Sequence, residues 1–290
     1  MTRYFPHAPV LHGDTGRGVP VARRALPVLA AAAIFLVGGA CHAAEPLSNV
    51  QDEPGYFTAT IPAPDATKYL PPPPQAGTVR QETDDKAFTS TRAQVGSQRW
   101  ALATSDADLH ENALLHSFSC AAGFVIDTAH APRLTALIHK MDVSEIPDMR
   151  ASKDYWHRAR PFVGNKERIC TENDRAHLAT SGSYPSGHTM LGWSTALVLA
   201  ELLPDRATEI LQRGRVFGES RIVCGVHWES DVQAGYMLGT AEVTTMHASP
   251  AFQADMAGAR AELDALRRKA PHPKAATCAN ENSAATHSPL

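Results

Sequence analysis

The sequence predicts an all-α fold, a single-domain helical bundle, and three observations carry that reading. No run of useful length alternates apolar and polar residues with the period of two that a half-buried strand requires. Apolar residues instead recur at three- and four-residue spacing, as at Leu109, Ala113, Leu114 and Phe118. From His188 to Leu203 the chain is apolar on nearly every side, through Leu191, Trp193, Ala196, Leu197, Val198 and Leu199, the pattern of a helix enclosed by others. A chain of 290 residues with 43% hydrophobic content fills one core and demands no second.

At the N-terminus, Arg23 and Arg24 precede sixteen uncharged, mostly apolar residues from Ala25 to Ala40, and small residues follow near Ala43 and Ala44. Residues 1–44 therefore read as an extension and export signal cleaved near Ala43 or Ala44, giving a periplasmic or secreted protein. The alternative, a membrane anchor, falls short of the ~20 residues needed to span a bilayer. Residues 45–82 are rich in proline, with four in a row at 71–74, and read as an extended arm. A catalytic helical domain is expected over 83–270, and the small, polar tail over 271–290 is expected to be disordered.

Within the domain, helical spacing runs from Thr83 to Phe124, then over Pro132 to Lys140 and Ser144 to Ala159, with Pro147 in a first turn. On the last of these, Lys153 and Arg160 are seven residues apart and share a face, and Pro161 stops the helix. Phe162 to Ser183 forms a polar loop long enough to be functional. After the enclosed helix, Pro204-Asp205 breaks the chain, Arg206 to Gly225 forms a helix ending on Ser220 and Arg221, and His227 to His247 forms the next, with Asp231 one turn after His227. Ser249-Pro250 opens a last amphipathic helix to about Lys269.

Charge narrows the partners. The chain carries net charge −3, and loss of residues 1–44 removes four Arg and one Asp, leaving 23 cations against 29 anions. An acidic body of this kind argues against nucleic acid, and no mature segment approaches 18 continuous apolar residues, so no stable membrane insertion is expected after processing. Four cysteines remain beyond residue 44, at 120, 170, 224 and 278, allowing three pairings. Export favours disulfides, and the absence of C-x-x-C spacing suggests neither zinc nor thioredoxin-like chemistry. A Cys170–Cys224 bridge would pin the long loop to the helix of Arg221; two buried free thiols are the alternative.

Three blocks carry the chemistry: Lys153 with Arg160-Pro161, Pro185-Ser186-Gly187-His188, and Ser220-Arg221 followed by His227 and Asp231. A phosphoryl group in transfer spreads negative charge over three equatorial oxygens, and Lys153, Arg160 and Arg221 are suited to hold them. The N–H groups of Ser186 and Gly187 stand at a helix start, where an anion is favoured and only glycine lets backbone come close. His227 is the expected nucleophile, Asp231 fixes its tautomer, and His188 is the general acid for the leaving oxygen. Ser186 as covalent nucleophile fits less well, since a G-x-S-x-G elbow needs glycine at Tyr184. Ser220 reads as a buried hydrogen-bonding residue, Trp193 and Trp228 as packing aromatics, and His157 and His177 as bystanders.

These blocks match without substitution the K-x6-RP, PSGH and SR-x5-HxxxD signature of the phosphatidic-acid phosphatase type 2 superfamily, which the chain resembles from about Tyr69 to about Phe252. Gly182-Ser-Tyr-Pro-Ser-Gly-His-Thr189, the Lys68 to Pro74 stretch and Cys224-Gly-Val-His-Trp228 resemble the bacterial class A non-specific acid phosphatases. The resemblance implies the helical core shared with vanadium-dependent haloperoxidases and an exported acid phosphatase hydrolysing small phosphate monoesters of broad specificity through a phosphohistidine, with no metal and no cofactor. Phosphotransfer to other acceptors and a homo-oligomer are left open. A haloperoxidase holding vanadate in the same pocket is the rival reading.

Overall fold

The computed structural model describes residues 54–289, so the expected signal and the first part of the arm lie outside it. Every regular element among the described residues is helical. None of these helices is long and apolar enough to cross a membrane.

The arm is less extended than its prolines suggest. A one-turn helix α1 (Ala66–Tyr69) is capped by the Asp65 carboxylate on the Thr67 N–H, and α2 (Val79–Thr91) starts early because Thr78 caps the Gln81 N–H. The expected helical stretch to Phe124 is broken into α2, α3 (Gln98–Ser105), α4 (Glu111–Ser117) and α5 (Ser119–Ala122).

The next two expected helices are one, α6 (Pro132–Trp156), with Pro147 in its interior. Burial of Leu134, Leu137, Ile138, Met141, Ser144 and Glu145 before the proline, and of Ser152 after it, overrides the missing hydrogen bond. The helix then ends three residues before its expected end. His157 takes a left-handed conformation at φ 47°, its N–H bonded to the Lys153 carbonyl at 3.0 Å. Lys153 and Arg160 therefore share no helix face. Lys153 lies in the last turn of α6, and Arg160 lies in the irregular segment beyond it.

The long loop carries a 3₁₀ turn at Glu172–Asp174 and a short helix α7 (Arg175–Ala179). Then follow α8 (Gly187–Leu202), α9 (Ala207–Val223), α10 (Glu229–Met246) and α11 (Pro250–Arg267). The enclosed helix is α8, packed chiefly on α9 and α10. Close approach is bought with glycine: an added Cβ at Gly192 would stand 2.3 Å from the Phe217 ring, and one at Gly235 would stand 2.7 Å from the Ser186 carbonyl.

The tail expected as disordered forms α12 (Ala275–Thr286). Its composition supplies little apolar surface, and covalent and polar ties hold it instead: a Cys120–Cys278 disulfide, a bond from Arg215 Nη2 to the Ala285 carbonyl at 2.6 Å, and Glu281 3.4 Å from Arg213. Cys170 and Cys224 form the second disulfide, and the Cys170 N–H also meets the Cys224 carbonyl at 3.0 Å. The loop is thus fastened to the end of α9.

Candidate active site

The three sequence blocks converge where α6, α8, α9 and α10 begin or end. Two of the cations are gripped by the loop that closes on α8. Lys153 Nζ donates to the Gly182 carbonyl at 2.7 Å, and Arg160 donates to the Ser181 carbonyl at 3.2 Å, the Ser181 hydroxyl at 3.1 Å and the Val226 carbonyl at 2.9 Å. A side chain at Gly182 would collide with the Lys153 carbonyl, 2.9 Å from an added Cβ.

Arg221 differs from both. It lies in the last turn of α9, is 2% exposed, and its Nε and Nη1 have no hydrogen-bond partner. A buried cation with open donors is costly unless an anion joins it. Burial, followed by the nearby Arg160 charge, pulls the Arg221 guanidinium down to about 9, and burial pulls Arg160 down to about 10. Burial and Arg160 together pull Lys153 down to about 7. Three cations crowded in a low-dielectric pocket disfavour one another, and a bound anion reverses that penalty.

The two imidazoles face the same pocket. His227 precedes α10 instead of opening it: Trp228 is the N-cap, and Asp231, in the first turn, reaches back to the Trp228 N–H at 2.9 Å. The same oxygen, Asp231 Oδ2, meets His227 Nδ1 at 3.2 Å. A carboxylate accepts, so Nδ1 carries the hydrogen and Nε2 presents a lone pair, which accepts from Arg160 Nη1 at 3.0 Å. On His188, Nε2 meets the Ala107 carbonyl at 3.1 Å. Burial first, then the cations around them, holds both rings well below the ordinary histidine range. Burial pushes the Asp231 carboxyl up, opposed by Arg158, the Trp228 N–H and Lys153.

The Pro185 to His188 turn is bound to α10. The Ser186 N–H donates to the Asp231 carbonyl at 3.0 Å, so it is not the anion donor expected from the sequence. Ser186 Oγ instead caps α8, accepting from the Thr189 N–H at 3.3 Å and the Thr189 hydroxyl at 2.9 Å. Gly187 opens α8, where a first-turn N–H has no intrahelical partner and faces any anion at the helix start. Among the described residues, no group of three or more His, Cys, Asp or Glu side chains is placed to hold a metal ion.

Sequence reasoning missed Arg158. Its Nη1 donates to Asp231 Oδ1 at 2.7 Å and its Nη2 to Asp84 Oδ2 at 2.6 Å, both carboxylates being buried. Ser230 joins them, its N–H on Asp84 at 2.8 Å and its hydroxyl at 2.6 Å. No local spacing announced this: Arg158 and Arg160 are two residues apart in an irregular segment, and their different roles come from tertiary partners, Asp231 and Asp84 for Arg158 and His227 and the Val226 carbonyl for Arg160.

Comparison with known proteins agrees with the arrangement. The profile of the PAP2 superfamily matches residues 133–253, which contain all three blocks. An acid phosphatase of Zymomonas mobilis subsp. mobilis is 51% identical over 220 residues, covering 76% of this chain and 83% of that one. Non-specific acid phosphatases of Providencia stuartii and Salmonella typhimurium are 35% and 38% identical over 226 and 210 residues, covering 77% and 71% of this chain and 91% and 84% of theirs. The chain belongs to the PAP2 superfamily.

Proposed function

We propose that the protein is an exported acid phosphatase that hydrolyses phosphate monoesters through a phosphohistidine at His227. The observation that carries the reading is the buried Arg221 with unpartnered donors, set with Lys153 and Arg160 around an imidazole nitrogen whose lone pair points among them. A phosphate dianion entering this pocket takes hydrogen bonds from Arg221, Lys153, Arg160 and the start of α8.

Arg160 Nη1 then turns from His227 Nε2 to a phosphate oxygen, and the nitrogen is free to attack. The Nε2–P bond forms as the bond from phosphorus to the leaving oxygen breaks, and His188 gives that oxygen a proton. Asp231, held by Arg158, stabilises the positive charge that grows on the His227 ring. In the second half, His188 takes a proton from water, the hydroxide attacks phosphorus, and the Nε2–P bond breaks to release phosphate.

The depressed pKa of both histidines sets an order on these events. In the free enzyme burial and the surrounding cations favour the neutral ring of His227, as a nucleophile requires, and the neutral ring of His188. The negative charge of bound phosphate favours the imidazolium, so His188 takes up its proton in the complex, and the reaction runs best on the acid side. Phosphate transfer to an alcohol would use the same intermediate with the alcohol in place of water.

The test is release of phosphate from p-nitrophenyl phosphate by the purified protein, with and without EDTA, and with vanadate as inhibitor. Turnover that survives chelation and is blocked by vanadate supports the reading. Turnover lost in EDTA and restored by zinc or magnesium contradicts it, and bromide oxidation by the vanadate-loaded protein would favour the haloperoxidase alternative.

A further inference from the structure

We propose that Asp106 is a positioning residue for this reaction: locked between Arg213 and Ser220, it holds the Ala107 carbonyl against His188, so that Nδ1 is the nitrogen left to carry the proton. The proposal rests on the reading of His188 as the general acid.

Asp106 closes α3 and is 1% exposed. Its carboxylate accepts from Arg213 through both terminal nitrogens, Nη1 at 3.2 Å, and from the Ser220 hydroxyl at 2.6 Å. Each donor is itself fixed. Arg213 Nε donates to the Ser117 carbonyl at 2.9 Å, and Ser220 Oγ accepts from Arg99 Nη1 at 2.9 Å. A buried, forked ion pair adds little net stability, because desolvation offsets the attraction, but it fixes geometry.

That geometry is passed on in one residue. The Ala107 N–H turns back to the Thr104 carbonyl at 3.2 Å and the Asp108 N–H to the Ser105 carbonyl at 3.2 Å. The chain between Asp106 and Asp108 is thereby held in a turn, and the Ala107 carbonyl meets His188 Nε2. A carbonyl only accepts, so Nε2 keeps its hydrogen and the ring neither flips nor changes tautomer. Proton transfer to and from the leaving oxygen is left to Nδ1. Asparagine at 106 preserves the volume but removes the charge that pairs with Arg213, and the turn loses its anchor.

A positioning role predicts a pattern that general destabilisation does not. An acid matters most when the leaving group is poor, so kcat/KM should be measured for an alkyl phosphate and for p-nitrophenyl phosphate in wild type, Asp106→Asn, His188→Ala and the double variant. Asp106→Asn should lower kcat/KM for the alkyl ester by about tenfold to a hundredfold, with a smaller loss for the nitrophenyl ester. On the His188→Ala background the same substitution should cost almost nothing further, because the group it positions is gone.

Full additivity of the two substitutions, or an equal loss on both esters in folded enzyme, would overturn the proposal. If the Asn variant does not accumulate as folded protein, Ser220→Ala, which removes one donor to the same carboxylate, must show the same leaving-group bias in weaker form, and an unbiased loss there overturns it equally. Failure of the underlying reading looks different: His188→Ala would itself treat the two esters alike.

Discussion

Arg158 Nη1 lies 2.7 Å from Asp231 Oδ1, while the other oxygen of that carboxylate holds the Trp228 N–H and His227 Nδ1. One buried guanidinium thus fixes the carboxylate that fixes the His227 ring, and its second nitrogen ties the assembly to Asp84 on α2.

Replacing Arg158 by methionine leaves two buried carboxylates without their cation. Stability should fall by about 3 to 5 kcal/mol. Turnover should fall by about a hundredfold, the cost of misplacing a reacting group by roughly 1 Å. Arg158→Lys, which keeps the charge but not the fork, should recover part of the stability and less of kcat. Thermal melts and steady-state kinetics read both, and a methionine variant unchanged in either would remove this residue from the account.

Lys153 supplies a pH test. Its pKa in the free enzyme is pulled down to about 7 by burial and Arg160, and an oxyanion needs it charged. Affinity for an oxyanion whose own charge is constant around neutral pH, such as molybdate, should fall as pH rises through about 7, by up to about tenfold per pH unit for one linked proton. Lys153→Arg keeps its charge throughout and should flatten that dependence. Identical pH profiles for the two enzymes would contradict the assignment.

A second titration lies away from the pocket. Glu145 on α6 and Glu242 on α10 are buried, with no cation among the described residues paired to either; Ser194 lies within hydrogen-bond reach of Glu145, and Asp148 within reach of Glu242 once one of the two carboxyls is protonated. Burial pushes Glu145 up to about 8 and Glu242 higher still, with Glu145 and Asp148 adding to the effect on Glu242. A carboxyl whose pKa is raised on folding contributes stability that is fully present below the unfolded value of 4.5 and is lost as pH rises through the folded one. Glu242→Gln should therefore melt higher than wild type at alkaline pH, with the gap closing on acidification. A gap independent of pH would show that these carboxyls are not held protonated.

How much of this was legible in the sequence depended on whether the signal was local. The PSGH turn, the enclosed helix and the helix start at Pro250 were legible because the residues that make them are neighbours in the chain, although the Ser249 side chain makes no capping bond. The end of α6 was not, because a left-handed histidine, which neither glycine nor asparagine announced, ends it. The helix α12 was not, because its stability comes from Cys120, 158 residues away, and from Arg213. All the expected site residues come together, yet the Ser186 N–H had already been taken by the Asp231 carbonyl, a tertiary bond that no spacing reveals.

The disulfide of α12 gives a fourth expectation. Cys278→Ser should lower stability by about 2 to 5 kcal/mol and free the Glu281 side of Arg213. Since Asp106 and Ser117 still hold Arg213, turnover measured below the melting transition should fall less than in the Arg158 variant. Non-reducing peptide mapping and melts with and without reductant check this, and free thiols at both positions in the native protein would contradict it.

The central claim is that His227 carries the phosphoryl group. The most direct measurement is rapid denaturing quench of the enzyme turning over a ³²P-labelled monoester, with the chemical stability of the trapped phosphoenzyme determined and the labelled peptide mapped. The account predicts an acid-labile, alkali-stable adduct on His227 that is absent from His227→Ala, which has no measurable turnover. An acid-stable adduct on Ser186, or a His227→Ala enzyme with near-normal turnover, would contradict it.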